Sequence, residues 1–473
     1  MLNKFIFFIK NNYRELIIVL SIFILGFVLR VNNLSKLTTF NADQEWLAYR
    51  AQEIVNGDVA LIGPVTSVGN YSIGPLFVYM WAFFSLLTNG APISGAYLSV
   101  AIGSFSLLMI YFFVRTFIDK NTAILTMFLV SISAQTIFWD QSPWTPSLFI
   151  IAQIMLLIGA YIINKNKWGY VIMALSFVLG FQAHIGIVLS FISVFIYLFF
   201  VKPIRPDAST VFKSFLILFI GLLPNMVFDI THNFTNLYRL FDVIKGEGVD
   251  YFIGIGKIIN VLSDNSIAVL YPNKNTQFDA ILIKSLYALV VVNTIRNLRN
   301  KKYKYISALL LITVFVPALV FYIQQGKFSE YYLMMTVPSS IFMLSLFLND
   351  FINFKSKEYI LVYLKTAFIV AISIYANFTV LKNRVVDFNL KAKEDVIREI
   401  IKIAGHDNYG ISLTTKFGDQ FGFKYIIDHY DIKADIPPKR GETRIISIIE
   451  PEGYDGMYGM KDFDGIGLRW SGI

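Results

Sequence analysis

Residues 15–31, ELIIVLSIFILGFVLRV, followed after a short polar stretch by NADQE at residues 41–45, are the most informative part of this chain. A helix needs about 20 apolar residues to cross the hydrocarbon core of a membrane, and the first stretch comes close to that length. Similar apolar runs recur almost to the end of the sequence. Acidic side chains beside a membrane are costly unless they are hydrated or used. The NADQE stretch is therefore the first place to look for chemistry.

Composition indicates a polytopic membrane protein. Of 473 residues, 56% are hydrophobic and only 15% are charged, whereas soluble domains are roughly 25% charged. The net charge of +9 is expected to mark cytoplasmic loops, so nucleic acid is not an expected partner. The absence of cysteine excludes disulfides and thiolate chemistry. The first apolar run lacks a small-residue cleavage site, so a retained anchor is expected.

Hydropathy predicts eleven membrane spans. They are residues 15–31, 94–114, 122–138, 146–163, 168–182, 184–201, 212–230, 279–295, 305–323, 332–349 and 358–381.

Lys and Arg residues cluster in every second loop between these spans. They occur at Lys4, Lys10, Arg14, Arg115, Lys120, Lys165, Lys167, Lys202, Arg205, the cluster at 296–304, Lys355 and Lys357. The turns at 139–145 and around Ala183 have none. Because Lys and Arg favour cytoplasmic loops, this predicts a multi-pass plasma-membrane protein with a cytoplasmic N-terminus. An odd number of spans then places the C-terminus outside.

Two long outer loops are predicted, at residues 32–93 and 231–278. Each of these loops contains one further apolar segment. Counting residues 74–88 as a span would put the later basic clusters outside, so we expect a surface helix there. A short true span is the alternative. Residues 253–270 are interrupted by polar side chains and are expected to be interfacial or re-entrant. Apolar side chains near helical spacing predict another helix at residues 43–55.

The last part of the chain is more polar. We expect two domains: an all-α membrane body at residues 1–381 and a small extracytoplasmic α/β domain at residues 382–473. Helices are predicted at residues 391–403 and 418–428, and strands at residues 409–413 and 444–449.

Polar and ionisable groups gather at the outer ends of several predicted helices, which is what a site open to lipid and outer water needs. These candidates are Asp43, Glu45, Asp140, Gln141, Gln182, His184, Asp229, His232 and Glu330.

Several of these residues have a structural alternative. Asp43 is either a catalyst or the N-cap of the loop helix, where a carboxylate accepts backbone N–H groups. For Asp140, beside two prolines, a turn or cap role is favoured over substrate binding. For His184, at a tight turn, a hydrogen bond to a neighbouring backbone carbonyl is favoured over function.

A second group of candidates follows the seventh span. Asp229 and His232 have the i, i+3 spacing that can hold a metal from one helix face, although a polar helix end is the favoured interpretation. Arg239 and Lys245 are candidates for binding a phosphate at headgroup level, or are solvated loop charges.

The order of motifs resembles bacterial members of the C-type glycosyltransferase (GT-C) superfamily, in the branch related to protein O-mannosyltransferases and aminoarabinose transferases. The motifs are residues 41–45 after the first span, Asn56-Gly57-Asp58, Leu61-Ile62-Gly63-Pro64, Gly74-Pro75-Leu76, residues 144–148 (WTPSL) and residues 228–234 (FDITHNF).

This resemblance implies transfer of a sugar from a polyprenyl-phosphate carrier to a protein, lipid or glycan acceptor on the outer face. The acidic residue Asp43 would be the catalytic residue. Glu45, Asp140, Gln182 and His184 would then contact substrate. The sequence departs from the family in two places. Many relatives have Glu where Gln44 stands, and residues 72–75 replace a Lys-Pro-Pro stretch that some relatives use near a metal. A divalent metal is therefore possible but not implied.

The expected mechanism follows from the donor. A polyprenyl-phosphate sugar already carries a good leaving group, so one carboxylate acting as base on the acceptor hydroxyl is sufficient, with inversion. Basic residues, Arg239 and Lys245 among them, would hold the departing phosphate. A membrane transporter or flippase is the alternative, but transporters tend to place ionisable groups near mid-membrane and to contain repeated halves. Neither feature is found in this sequence. A binding or assembly protein whose outer tail recruits partners is a further alternative that the sequence leaves open.

Overall fold

The computed structural model describes residues 2–66, 70–245, 254–324, 329–354, 359–404, 409–415, 422–440, 444–451 and 453–471. The predicted cytoplasmic residues Lys355 and Lys357 fall outside these ranges.

Helices dominate the described residues. They are α1 (Leu2–Val31), α2 (Leu34–Leu37), α3 (Ala42–Val55), α4 (Leu76–Leu87), α5 (Ser94–Phe117), α6 (Lys120–Ile132), α7 (Ala134–Asp140), α8 (Leu148–Ile162), α9 (Trp168–Ala183), α10 (Ile187–Leu198), α11 (Ala208–Thr231), α12 (Thr235–Lys245), α13 (Ile255–Ile267), α14 (Gln277–Asn297), α15 (Lys304–Gln324), α16 (Val337–Asn353), α17 (Tyr359–Lys382), α18 (Leu390–Ala404) and α19 (Phe423–His429). Short 3₁₀ helices at Thr145–Ser147 and Glu330–Thr336 precede α8 and α16. The described residues are therefore mostly helical, as the sequence predicted for the membrane body.

Every predicted span contains helix, but the helices differ in length. Within the described residues, seven helices are long and apolar enough to cross a membrane, and α6 with α7 makes an eighth if that bent pair is one span. Helices α9 and α10 are apolar but shorter. The multi-pass prediction is thus confirmed, while the count of eleven spans stays a prediction.

The third predicted span is bent by 65° between α6 and α7. The bend is at Ser133, whose backbone is extended and whose hydroxyl accepts from the N–H of Thr136. The amide oxygen of Asn377 accepts from the N–H of Ala134 at 2.8 Å, so the interrupted helix leaves that donor satisfied. The bend turns α7 and its end, Asp140, toward the interior.

Helix α16 is the centre of the bundle and α11 lies at its edge. The residues of α16 are almost all buried, and its small polar side chains meet neighbouring helices: Ser339 Oγ lies 2.9 Å from Thr313 Oγ1, and Ser345 Oγ lies 3.0 Å from Thr126 Oγ1. Small residues allow such close helix approach in membranes. By contrast, α11 exposes large apolar side chains along its length, as expected of a helix that faces lipid.

Two helices in the predicted outer loops are too short to cross a membrane alone. Helix α4 has 12 residues and α13 has 13, or about 18–20 Å at 1.5 Å per residue, against a core of about 30 Å. One side of α13 is buried. The placement of both segments relative to the lipid stays a prediction.

The tail, residues 382–473, contains α18, α19 and a four-stranded sheet. Its strands are β1 (Gly410–Thr415), β2 (Ile445–Glu450), β3 (Lys461–Phe463) and β4 (Ile466–Ser471), in the order β1-β2-β4-β3. Strands β1 and β2 are parallel, whereas β4 is antiparallel to β2 and β3. The hairpin of β3 and β4 was not predicted, because β3 has only three residues and β4 only six. The predicted helix at 418–428 is found at Phe423–His429, and the beginning of the predicted range lies outside the described residues.

Candidate active site

Helix α3 presents Asp43 at its first turn. The N-cap is Asn41, not Asp43: Asn41 Oδ1 accepts from the N–H of Asp43 at 3.2 Å, and Gln44 Oε1 accepts from the N–H of Asn41 at 3.2 Å. The N-cap interpretation of Asp43 is therefore wrong. Its side chain is exposed and is not used to begin the helix. A carboxylate at this position also interacts favourably with the positive end of the helix dipole.

Gln44 connects this helix end to the turn after α7. Its buried side chain donates from Nε2 to the carbonyl oxygen of Pro143 at 3.0 Å. Pro143 directly precedes Trp144, so the first turn of α3 is tied to a segment of aromatic residues. Asp43 is the neighbour of the residue that makes this contact.

Trp144 lines a cavity of about 290 Å³ between the turn after α7, helix α13 and the 3₁₀ helix before α16. Its lining includes Trp139, Trp144, Tyr331, Asp264, Lys274 and Glu330. The rings of Trp144 and Tyr331 meet edge to face with centroids 5.7 Å apart. A few polar groups among aromatic walls are typical of small-molecule sites.

The polar groups of this cavity include one ion pair and one unsatisfied donor. Lys274 Nζ lies 2.7 Å from Asp264 Oδ2, and the exposed Glu330 adds a second acid. The buried indole Nε1 of Trp144 has no hydrogen-bond partner among the described residues. That nitrogen has almost no accessible surface, so it is a buried donor within the cavity wall.

His184 lies behind the cavity wall. Its Nδ1 accepts from the N–H of Gly186 at 3.0 Å. Its ring stacks on Tyr332 at 5.3 Å and meets Tyr331 edge-on at 5.9 Å. It reaches the cavity only through Tyr331, and substrate contact by His184 stays a prediction.

Asp140 is buried in an ion pair. Its Oδ2 lies 2.7 Å from Nε of Arg30, which has no exposed surface. Arg30 Nη1 also donates to the carbonyl oxygens of Gly26 and Ser131, both at 3.0 Å. The carboxylate of Asp140 is thus committed to packing α7 against α1. This role differs from the favoured turn or cap role, and substrate contact by Asp140 stays a prediction.

Gln141, the next residue, holds three segments together. Its Nε2 donates to the carbonyl oxygen of Arg30 at 2.9 Å, and its Oε1 accepts from Arg384 Nη1 at 2.5 Å. Arg384 also donates to the carbonyl oxygen of Leu37 at 3.0 Å. Burial lowers the pKa of Arg384 to about 10. Neither arginine was a candidate in the sequence, since their partners are more than one hundred residues away.

Glu45 contacts the tail. Its Oε2 accepts from the N–H of Tyr425 in α19 at 2.9 Å. Burial raises the pKa of the Glu45 carboxyl above its usual range. Substrate contact by Glu45 stays a prediction.

Gln182 joins three helices at the predicted outer end of α9. Its Oε1 accepts from the N–H of Leu76 at 3.1 Å, and its Nε2 donates to the carbonyl oxygen of Gly221 at 2.8 Å. Its side chain also lies against Gly74, where a Cβ would approach Oε1 to 1.8 Å. Both polar ends of this predicted substrate-binding residue are used within the protein.

The predicted phosphate-binding residues lie near α12. Arg239 is exposed and donates from Nη1 to the carbonyl oxygen of Asn70 at 3.1 Å. The side chain of Lys245 lies outside the described residues. Arg239 does not line the aromatic cavity, where Lys274 is the basic residue.

The weak metal candidates are both hydrogen-bonded locally. Asp229 Oδ1 accepts from the N–H of Leu237 at 3.0 Å, and His232 Nδ1 lies 2.9 Å from the carbonyl oxygen of Phe228. Protein zinc sites use three or four such ligands. In the described ranges, no three His, Cys, Asp or Glu side chains are grouped closely enough to hold a metal ion.

The fold of this chain is that of the C-type glycosyltransferases, as the sequence motifs predicted. It is similar to ArnT from Cupriavidus metallidurans bound to undecaprenyl phosphate, with 9% identity and a TM-score of 0.59 over 97% of this chain and 98% of that chain. It is also similar to archaeal oligosaccharyltransferase AglB from Archaeoglobus fulgidus in complex with an inhibitory peptide and a dolichol-phosphate, with 12% identity and a TM-score of 0.51 over 90% of this chain and 64% of that chain. No family model and no curated protein sequence matches the chain.

Proposed function

We propose that this protein is an integral-membrane glycosyltransferase that moves a sugar from a polyprenyl-phosphate donor to an acceptor on the outer face of the membrane, with Asp43 as the base. One observation carries the proposal. In a GT-C fold, an exposed carboxylate that takes no part in capping its helix directly precedes Gln44, whose side chain contacts the turn that leads into an aromatic cavity.

The polyprenyl-phosphate donor is supported by the two similar structures, whose ligands are undecaprenyl phosphate and a dolichol-phosphate. Polyprenyl phosphates bring an anionic headgroup to the membrane surface. Lys274, the basic residue of the cavity, is the best-placed described side chain for such a group, ahead of Arg239. When phosphate enters, Lys274 would exchange its bond with Asp264 for a charge-assisted bond to the leaving group.

The reaction is a substitution at the anomeric carbon. Asp43 takes the proton of the acceptor hydroxyl while the acceptor oxygen bonds to the anomeric carbon. The bond from that carbon to the phosphate oxygen breaks, and its electron pair leaves with the polyprenyl phosphate. Attack from the face opposite the phosphate inverts the configuration. A single positioned base of this kind contributes roughly 10²–10⁴-fold to the rate.

The aromatic walls suit the sugar. Trp139, Trp144 and Tyr331 offer ring faces and edges to the apolar side of a pyranose. Glu330 and Asp264 supply acceptors for sugar hydroxyls. With the cytoplasmic N-terminus predicted by the basic loops, this cavity faces the outer side.

The test uses purified protein in lipid nanodiscs, polyprenyl-phosphate sugars extracted from metabolically radiolabelled cells, and envelope material from the same cells as acceptor. Wild-type protein should transfer label to the acceptor. Asp43→Asn should lower the rate at least 100-fold without changing the melting temperature. Asp58→Asn, which removes another exposed acid of the same loop, serves as the control and should transfer normally.

Two results would reject the proposal in different ways. Full activity of Asp43→Asn would remove Asp43 from the mechanism while leaving the transferase class intact. Passage of intact labelled lipid or sugar across vesicles, with no cleavage of the sugar-phosphate bond, would instead identify a transporter or flippase. The nuclear magnetic resonance spectrum of the product tests inversion at the anomeric carbon.

A further inference from the structure

Two adjoining cavities lie between α9 and α11, at the ends of these helices away from the candidate active site. The first, of about 400 Å³, is lined by the turn before α9 and the beginning of α11. The second, of about 560 Å³, lies further along the same two helices. Trp168 begins α9 at the first cavity, whereas Gln182 ends the same helix beside α4.

The first cavity is basic. Lys165, Lys167 and Lys213 line it, together with Trp168 and one acid, Asp207. Asp207 already has three partners: its Oδ1 accepts from the N–H of Thr210 at 3.0 Å and from the Thr210 hydroxyl at 2.6 Å, and its Oδ2 lies 3.2 Å from Lys167 Nζ.

The other two lysines retain their charge for a ligand. Lys213 Nζ lies 5.1 Å from the centre of the Trp168 ring, and Lys165 Nζ lies 5.8 Å from the centre of the Tyr161 ring. Neither lysine pairs with a carboxylate within the part of the chain that the structure describes. Their positive charges, held beside aromatic rings at a helix end, would attract an anion of headgroup size.

The second cavity is an apolar groove open to the side. Tyr170, Met173 and Phe177 of α9 face Val211, Phe215 and Leu218 of α11 across it. Almost no polar surface lines this groove. Tyr170 connects the two cavities, since it lines the groove while its hydroxyl donates to the carbonyl oxygen of Ile204, a residue of the basic cavity, at 3.0 Å.

The combined length of the two cavities along the helices matches the thickness of one membrane leaflet. From Trp168 to Phe177, and from Lys213 to Leu222, each helix advances nine residues, about 14 Å at 1.5 Å per residue. Half of a hydrocarbon core of about 30 Å is about 15 Å. A lipid with its headgroup among the lysines would therefore lay an acyl chain along the groove and end near the middle of the membrane.

We propose that this paired site binds an anionic phospholipid of the leaflet opposite to the candidate active site. Its phosphate contacts Lys165 and Lys213, and one acyl chain lies between α9 and α11. Charge selects the headgroup, because a zwitterionic lipid brings a cation of its own to the lysines. The apolar groove selects a lipid over free phosphate. The bound lipid would pack against α11, few of whose residues are otherwise buried. The proposal does not depend on the transferase activity.

The experiment measures lipid retention by native mass spectrometry. Purified protein is exchanged into mixed micelles with equal amounts of phosphatidylglycerol and phosphatidylcholine. Wild-type protein should retain one phosphatidylglycerol in preference to phosphatidylcholine. Lys165→Gln/Lys213→Gln should bind it roughly 10- to 30-fold more weakly, from the loss of two lysine–phosphate attractions. The matched control, Lys202→Gln/Lys301→Gln, removes the same charge from exposed lysines that line neither cavity and should bind like wild type.

A second variant tests the groove separately. Ser214→Trp should fill the groove beside Phe215 and reduce retention although all three lysines remain. Three outcomes would overturn the proposal: equal retention of the two lipids by wild type, equal loss in the control double variant, or full retention in Ser214→Trp. Full retention in Ser214→Trp would show that the lysines attract the phosphate without an acyl chain in the groove. Because the substituted lysines are exposed, unfolding is not expected to confuse the comparison, and circular dichroism of each variant checks this.

Discussion

The carboxylate of Glu45 accepts a hydrogen bond from the backbone N–H of Tyr425, a residue 380 positions later in the chain. Two further contacts join the same surfaces: Lys424 Nζ donates to the hydroxyl of Tyr49 at 3.1 Å, and the hydroxyl of Tyr425 donates to the carbonyl oxygen of Gly90 at 2.8 Å. The tail therefore forms hydrogen bonds with α3, the helix that carries Asp43. Asp43 lies two residues before Glu45. A role for the tail follows: it holds α3 in position.

Glu45 gives this contact a pH dependence. Burial raises its pKa above the ordinary value of 4.5, so folding favours the protonated form. The contribution of Glu45 to stability is greatest below pH 4.5 and falls as pH rises through the raised pKa. Glu45→Gln keeps an acceptor for Tyr425 without the charge. Its melting temperature should equal or exceed that of wild type at pH 7, with the difference shrinking at pH 4.5.

Glu45→Ala, by contrast, leaves the N–H of Tyr425 unpaired and should lower stability by about 1–3 kcal/mol. A Gln variant as unstable as the Ala variant at pH 7 would show that the contact needs a negative charge. Thermal unfolding in one detergent across the pH range measures both variants.

A glycine in the tail tests the same interface by steric means. Gly422 has a φ of +82°, and a Cβ there would lie 2.3 Å from the carbonyl oxygen of Phe40, just before the N-cap of α3. Gly456 has a similar φ of +72° with open space around it. Gly422→Ala should therefore weaken both stability and sugar transfer, while Gly456→Ala should show only the backbone strain of about 1 kcal/mol. Equal effects of the two variants on transfer would argue against a positioning role for the tail.

The apolar runs and the family motifs were enough to predict the helical membrane body, the GT-C fold and a polar tail with helix and strand. These features follow from local patterns: length of apolar run, charge at its ends, and the order of short motifs. The gathering of polar groups from several helices at one outer site stays a prediction.

Pairings between distant residues could not be predicted. Gln182 and Asp140 were chosen because a polar side chain at a membrane helix end suggests function. Their actual partners, Leu76 and Gly221 for one and Arg30 for the other, depend on how helices far apart in sequence meet. The cavity was missed for the same reason, since Trp144, Lys274 and Tyr331 come from three separate segments. The N-cap of α3 is a local feature that the sequence did contain: Asn41 lies three residues before Gln44, the spacing of a capping box.

The buried pair of Arg30 and Asp140 is expected to act in stability rather than in catalysis. Removing one partner leaves an uncompensated buried charge, so Asp140→Asn should destabilise the protein by about 3–5 kcal/mol. Replacing both with apolar residues of similar volume, as in Arg30→Met/Asp140→Leu, should recover much of that loss. The recovered variant should also transfer sugar. Restored stability with no transfer would instead show that Asp140 or Arg30 takes part in the reaction.

Trp144 and Lys274 allow the cavity to be tested against Asp43. Trp144→Leu removes one aromatic wall of the cavity, so a sugar that packs against this ring should bind more weakly, by about 1 kcal/mol or roughly fivefold. Lys274→Met should raise KM for the lipid-linked donor by about tenfold or more, because a charge-assisted bond to phosphate is lost. Trp46→Leu, at an exposed tryptophan of α3 that does not line the cavity, is the control. The alternative outcome is an unchanged KM for the donor in both cavity variants, while Asp43→Asn remains inactive. This result would place the donor site elsewhere on the outer face and leave this cavity as a candidate for the acceptor.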